Sequence, residues 1–229
     1  MSERTLLYRG KTKDVYDNLD GSYTLQLKDE ATGKDGVFDP GENAVGLSIA
    51  GLGRASLELS AYYFEKLKEA GIPTHYIDSD LEQAAMRVLP GEKFGQGLEF
   101  ICRLRADGSF LRRYGAYSVF GADLSSFVEV TLKDDTRQDP QISKEALSLL
   151  GIMDFAAYEV CVDLTKRIAG LIAGDLAMRG LELFDIKFEF GIHDGDILLI
   201  DEISGGCMRV YRGGAIVPPM ELGRLVLGK

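Results

Sequence analysis

The residues with the clearest chemical potential lie between Phe184 and Ser204. Asp185, Lys187 and Glu189 alternate with Phe184, Ile186, Phe188 and Phe190. This period of two predicts a strand with one charged and one apolar face. Asp194-Gly195 marks a tight turn, and Ile197-Leu198-Leu199-Ile200 returns to Asp201-Glu202. A two-residue turn pairs Asp201 with Phe188. A three-residue loop centred on Gly195 pairs it with Glu189 and gathers three carboxylates and a lysine on one side. A slip of one residue inverts every side chain, so register decides the matter. Facing carboxylates need a counter-charge. Hard oxygen donors suit Mg²⁺, which takes one or two carboxylates together with substrate phosphates. The chemistry would be that of a magnesium-nucleotide site. The same spacing also fits the solvated face of an acidic edge hairpin.

Two further groups could meet anions. The segment Arg9-Gly10-Lys11-Thr12-Lys13 sets two lysines beside a flexible glycine, which could face phosphates. It is not a P-loop, because the glycine that motif needs five residues before Gly10 is Thr5. A solvated strand is the plainer reading. Arg103, Arg105, Arg112 and Arg113 surround Asp107-Gly108-Ser109 in an otherwise acidic chain. Arginine forks match phosphate or carboxylate, so this is a candidate anion pocket, or else a basic helix face paired with surface acids. Cys161 falls near an apolar helical stripe and reads as a packed thiol rather than a nucleophile.

The elements that must position these groups follow from pattern. Leu6 to Lys28 reads as paired strands turning at Gly10 and Asp20-Gly21. Residues 29–53, with Asp39-Pro40-Gly41, read as a long loop. Ser56 to Ala70 is an amphipathic helix with Leu59, Tyr63, Phe64 and Leu67 inward and Gly71 as its stop. Ile72–Ile77 leads into a strand, Met86–Leu89 is a short apolar run ending at Pro90, Gly91–Gly97 reads as a loop, and strands are expected at Leu98–Leu104 and Phe127–Lys133. Asp154 is placed to cap a helix running to Arg179, with Val160, Leu164, Ile168, Leu171 and Ile172 as its buried stripe. A short helix closes the chain.

Composition bounds the classes. The 229 residues suit one large or two small domains. A formal net charge of −10 argues against a general nucleic-acid binder. Three scattered cysteines suit a reducing cytosol. Only His75 and His193 are present, too few for a histidine-rich metal site. No run approaches the roughly 20 apolar residues of a membrane span, and the start of the chain lacks a signal-peptide core.

Read together and in this order, several segments resemble the SAICAR synthetase family. They are YRGKTKDVY (8–16), LKDEAT (27–32), AGIPTHYI (70–77), DGSFLRRYG (107–115), the segment from Lys133 to Pro140, FDIKFEFG (184–191) and DEIS (201–204). The resemblance implies an α+β fold of two lobes with ATP in the cleft. Residues 1–86 would form a small antiparallel nucleotide-binding lobe, and 87–229 a larger α+β lobe with the metal and substrate site. It implies an ATP-dependent carbon–nitrogen ligase of purine biosynthesis. That enzyme would join carboxyaminoimidazole ribotide to L-aspartate through an acyl phosphate. By position, Gly10, Lys11, Lys13 and Lys28 would face the nucleotide, and Glu189 and Asp201 would hold Mg²⁺. Lys187, Asp185 and Arg209 would serve catalysis. Arg103, Ser109, Arg209 and Asp139 would bind substrate. A cytoplasmic homo-oligomer with small-molecule partners is implied, with neither nucleic acid nor membrane.

The chain departs from the family pattern on the substrate side. Where the family runs serine, proline, aspartate, threonine, cysteine, arginine, this chain has Ser204-Gly205-Gly206-Cys207-Met208-Arg209. Leu104 and Leu52 replace the usual asparagine and lysine, Arg212 replaces an aspartate, and Gly91–Gly97 looks inserted. A paralogue acting on another phosphoribosyl or nucleoside-type carboxylate is therefore the rival reading. A catalytically silent nucleotide-binding regulator and a kinase are others.

Overall fold

The computed structural model describes residues 4–34, 37–39, 41 and 44–229. In chain order the elements begin β1 (Thr5–Arg9), β2 (Lys13–Asp17), β3 (Tyr23–Leu27), β4 (Glu30–Lys34), β5 (Val37–Phe38) and β6 (Val45–Ser48). Next come α1 (Leu52–Glu69), β7 (Tyr76–Asp80), β8 (Ala85–Val88), β9 (Glu92–Lys93), β10 (Leu98–Arg105), α2 (Gly108–Tyr114) and β11 (Asp123–Leu132). Then follow α3 (Lys144–Leu149), α4 (Phe155–Ala177), β12 (Glu182–His193), β13 (Asp196–Ile200), β14 (Met208–Arg212), β15 (Ala215–Ile216) and α5 (Pro219–Leu227). The chain forms two compact units. The first comprises Met1–Gly91, Ile200–Gly206 and Pro218–Lys229; the second comprises Glu92–Leu199 and Cys207–Val217.

In the first unit an antiparallel sheet runs β1-β2-β3-β8-β7, and a small sheet runs β5-β4-β6. Residues 29–53 are thus not the long loop that their turn formers predict. Pro40 lies outside the described residues. Glycine here serves close approach rather than loop freedom, because a Cβ on Gly46 would run into the backbone of Gly33. Helix α1 starts at Leu52, four residues before the expected Ser56. Its cap comes from outside: the Asp29 carboxylate accepts from the backbone N–H groups of Gly51 and Gly53, both at 2.9 Å. Leu59, Tyr63, Phe64 and Leu67 are buried as their spacing requires.

The second unit is built on the sheet β11-β10-β12-β14-β15, with β9 and β13 also pairing to β12. Helix α4 packs on β10, β11 and β12. Phe100, Ile186, Phe188 and Phe190 are buried, and Phe100 meets the Phe190 ring edge-on at 5.4 Å. Asp154 caps α4 by accepting from the Ala157 N–H at 2.7 Å, as its position predicts. The stripe differs from the expected one at two residues, because Leu171 is only half-buried and Val160 is exposed. Val160 is 46% exposed, and Cys161 takes the buried place with Leu164, Ile168 and Ile172.

This packing predicts unequal costs along one helix. Ile168→Ala should lower unfolding free energy by about 2–5 kcal/mol. Val160→Ala should change it by no more than about 0.5 kcal/mol. Urea denaturation midpoints of the two variants check this.

Candidate active site

The turn joining β12 and β13 has two residues, Asp194 and Gly195, both at positive φ (50° and 88°). Of the two registers open from sequence, this is the shorter-loop one. Its pairing rule nevertheless stops short of Asp201. That residue lies beyond β13 with φ 73°, so strand alternation does not set the direction of its side chain.

The charged side of the second unit's sheet is legible in the register. Glu99 stands opposite Glu189, and Arg103 opposite Asp185, which in turn stands opposite Arg209. Two facing glutamates would repel. Each has an ammonium partner: Lys187 donates to Glu99 at 2.8 Å, and Lys133 donates to Glu189. Glu99 also accepts from the Thr131 hydroxyl at 3.0 Å. Burial works to lower the Lys187 pKa, but Glu99 and Glu189 outweigh it and hold the amine above its ordinary value. Lys187 is therefore a fixed cation, not a base.

Arg103 is 1% exposed and wholly engaged. Its guanidinium donates to Glu129 at 2.8 Å, to Asp185 at 3.0 Å and to the Ser109 hydroxyl at 2.7 Å. Glu129 also accepts from Arg113 at 2.6 and 2.7 Å and from the Gln141 amide at 2.5 Å. Arg209 donates to Asp185 at 2.9 Å. Burial raises the Asp185 pKa, while Arg209 and Arg103 oppose that rise. Arg209 lies on the backbone of Gly108, where a Cβ would come within 2.7 Å of its Cζ. A side chain there would have to displace the guanidinium, and the φ of 51° also favours glycine. Tyr211 donates to Asp107 at 2.8 Å beside the same guanidinium. Arg105 belongs elsewhere, pairing with Glu182 at 2.9 Å on the exposed side.

The first unit carries its own cluster. Lys13 forms ion pairs with both Asp201 and Glu202. Burial and the neighbouring Asp201 push Glu202 up to about 7, although Lys13 works against them. Gly10 donates its N–H to the Lys13 carbonyl and accepts from Lys28 Nζ, both at 2.9 Å. Lys28 also pairs with Asp14 at 2.6 Å, and Lys11 is exposed. His75 is buried, and burial drives its pKa down to about 4.

The structure thus gathers Asp185, Lys187, Glu189, Arg103, Ser109 and Arg209 on one sheet face of the second unit, and Lys13, Asp201, Gly10 and Lys28 in the first. Asp139 sits in a turn, its carboxylate accepting from the Asp134 N–H at 2.8 Å. Sequence reasoning passed over Glu99, Glu129 and Lys133. The signal was available, because the period of two that exposes β12 also runs through β10 and β11. The glycine departures have a local reason at Gly205, whose Cβ would lie 2.7 Å from Pro219 Cα.

Comparison with known proteins fits these parts to a class and then to a family. The family model described as SAICAR synthetase matches residues 6–216. A phosphoribosylaminoimidazole-succinocarboxamide synthase of Clostridium tetani is 55% identical over 97% of this chain and 99% of its own length. One from Thermotoga maritima is 35% identical, covering 91% of this chain and 86% of its own. A solved SAICAR synthetase in complex with ADP superposes with a TM-score of 0.86 at 26% identity, covering 99% of this chain and 98% of that one. Another solved SAICAR synthetase gives 0.79 at 32% identity, covering 97% and 91%. The fold is that of a synthetase. The chain belongs to the SAICAR synthetase family.

The Glu202 environment yields a pH prediction. Its folded pKa lies above the unfolded value of 4.5. The protonated carboxyl therefore favours folding at low pH, and that contribution is lost as pH rises through about 7. Thermal melts without divalent cations should show wild type losing stability over this window relative to Glu202→Gln. Parallel pH profiles for the two proteins would contradict it.

Proposed function

We propose that the chain catalyses the SAICAR synthetase reaction. Carboxyaminoimidazole ribotide, L-aspartate and ATP become SAICAR, ADP and phosphate, a step of purine biosynthesis. The observation that carries this reading is the 55% identity to the Clostridium tetani synthase over 97% of the chain. The same match favours it over a paralogue with another substrate, despite Gly205-Gly206, Leu104, Leu52 and Arg212.

The residues suit that chemistry. A carboxylate is a poor acyl donor, since oxide would have to leave. Attack of its oxygen on the terminal phosphorus of ATP expels ADP and gives an acyl phosphate. The aspartate amine then attacks the acyl carbon, phosphate departs with the bonding pair, and the amine loses a proton. Such a transfer needs positioning and charge neutralisation rather than a protein nucleophile. Burial pushes the thiols of Cys102 and Cys161 up to about 11 and about 12, which suits packing roles. Lys187, held protonated, offers a fixed positive charge to the transferring phosphoryl oxygens. Asp185 orients Arg209, while Arg103, Ser109 and Arg209 are proposed to meet the phosphate and carboxylate of the ribotide, and Asp139 to bind substrate away from those anionic groups. Gly10, Lys11, Lys13 and Lys28 are proposed on the nucleotide side.

Magnesium fits the donor set. Asp201 and Glu202 set two carboxylates beside Lys13, hard oxygen donors of the kind that suit a divalent cation. All donors are carboxylate oxygens, and no group of three His, Cys, Asp or Glu side chains among the described residues forms a metal cage. That matches an ion held by one or two carboxylates and substrate phosphates. Glu189 and Asp201 are its proposed ligands, and the bound ion would withdraw charge from the phosphoryl oxygens. Residues 1–86 are proposed as the nucleotide-binding lobe and 87–229 as the substrate and metal lobe. Ile200–Gly206 and Pro218–Lys229 return to the first compact unit. A cytoplasmic location and a homo-oligomer complete the proposal. Buried thiols at Cys102 and Cys161 support the former, and exposed Tyr117, Val119 and Phe120 support the latter.

An ADP-release assay tests the reaction. Release is expected only with the ribotide carboxylate and L-aspartate together; release without the amine would indicate a kinase. Glu189→Gln and Asp201→Asn should each abolish turnover while the far-ultraviolet circular dichroism stays native. Full activity in either would remove its metal assignment.

A further inference from the structure

Asp201 holds a backbone conformation that a residue with a side chain rarely adopts, φ 73°. Such a residue persists where its surroundings over-determine it. Two buried side chains grip the segment that it begins. His75, 3% exposed, lies with Nε2 3.0 Å from the Asp201 carbonyl oxygen. Ser60, on α1 and fully buried, accepts from the Ile203 N–H at 3.2 Å. The His75 backbone is itself tied down, its carbonyl accepting from the Leu89 N–H at 2.7 Å. The Phe64 ring packs beside the imidazole with centroids 5.8 Å apart.

A carbonyl oxygen has no proton to give, so the imidazole must donate from Nε2. That hydrogen bond engages Nε2, the nitrogen nearest Asp201. We infer that His75 is a positioning residue: through the Asp201 carbonyl it holds that residue in its left-handed turn, so that the Asp201 carboxylate is presented at Lys13, ready to take a divalent cation. The inference rests on the proposed magnesium role of Asp201. Its logic is that of an outer partner fixing a ligand, here through the ligand's backbone instead of its side chain. A histidine that merely fills the core would leave cation binding untouched.

The test measures ADP binding by calorimetry, with and without Mg²⁺, in wild type, His75→Leu and His75→Gln. Leucine removes the donor, whereas glutamine can supply an amide N–H to the same carbonyl. The expected result is that His75→Leu weakens the magnesium-dependent gain in ADP affinity about tenfold or more. Its magnesium-free ADP affinity should stay that of wild type, and His75→Gln should keep most of the gain. A folded His75→Leu with the full gain, or with equal losses in both arms, overturns the inference alone. Wild type without any gain overturns the magnesium reading and the inference with it. If His75→Leu does not fold, ¹⁵N NMR of the wild-type imidazole decides. The Nε2–H tautomer supports the clasp, and the Nδ1–H tautomer overturns it.

Discussion

Charge placed out of water has to be neutralised where it stands, and the second unit obeys this rule across an entire sheet face. Glu99, Glu129, Asp185 and Glu189 are each met by a lysine or arginine. Removing one member strands the other's charge, which is far more costly than replacing both with apolar groups. Such a face is a weak source of stability and a strong source of order, because each side chain has only one arrangement that satisfies its neighbours.

The first unit meets the same demand with fewer groups. Two adjacent acids share Lys13, and burial together with the neighbouring Asp201 raises the Glu202 pKa. The backbone there is bent into a left-handed turn and gripped from two elements, by His75 before β7 and by Ser60 on α1. A raised carboxyl pKa and a left-handed backbone in one short segment are features that cluster at functional sites.

Much of this was legible in the sequence, and the failures have separate physical causes. The alternation in β12 gave both its faces, and the Asp154 cap and the α1 stripe followed from local rules. Residues 29–53 misled because glycine signals a turn by its freedom, yet Gly46 lies where a Cβ would run into the backbone of Gly33. The start of α1 was hidden because Asp29, over twenty residues upstream, caps it. Val160 was misplaced because a strict four-residue step drifts around a helix of 3.6 residues per turn. His75 could not be placed at all: its partner lies 126 residues away and the bond is to backbone, which carries no sequence signature.

The chain leaves the first unit after Gly91 and comes back to it twice, with α5 settling on α1 at the end. A ribosome delivering this protein therefore releases a first unit that is unfinished. The apolar side of α1 that α5 covers must wait, through the synthesis of more than a hundred residues, for its lid. The carboxylate pair at 201–202 arrives late in the same way. A chain cut before α5 would therefore leave bare a face of the part of the molecule that was made first.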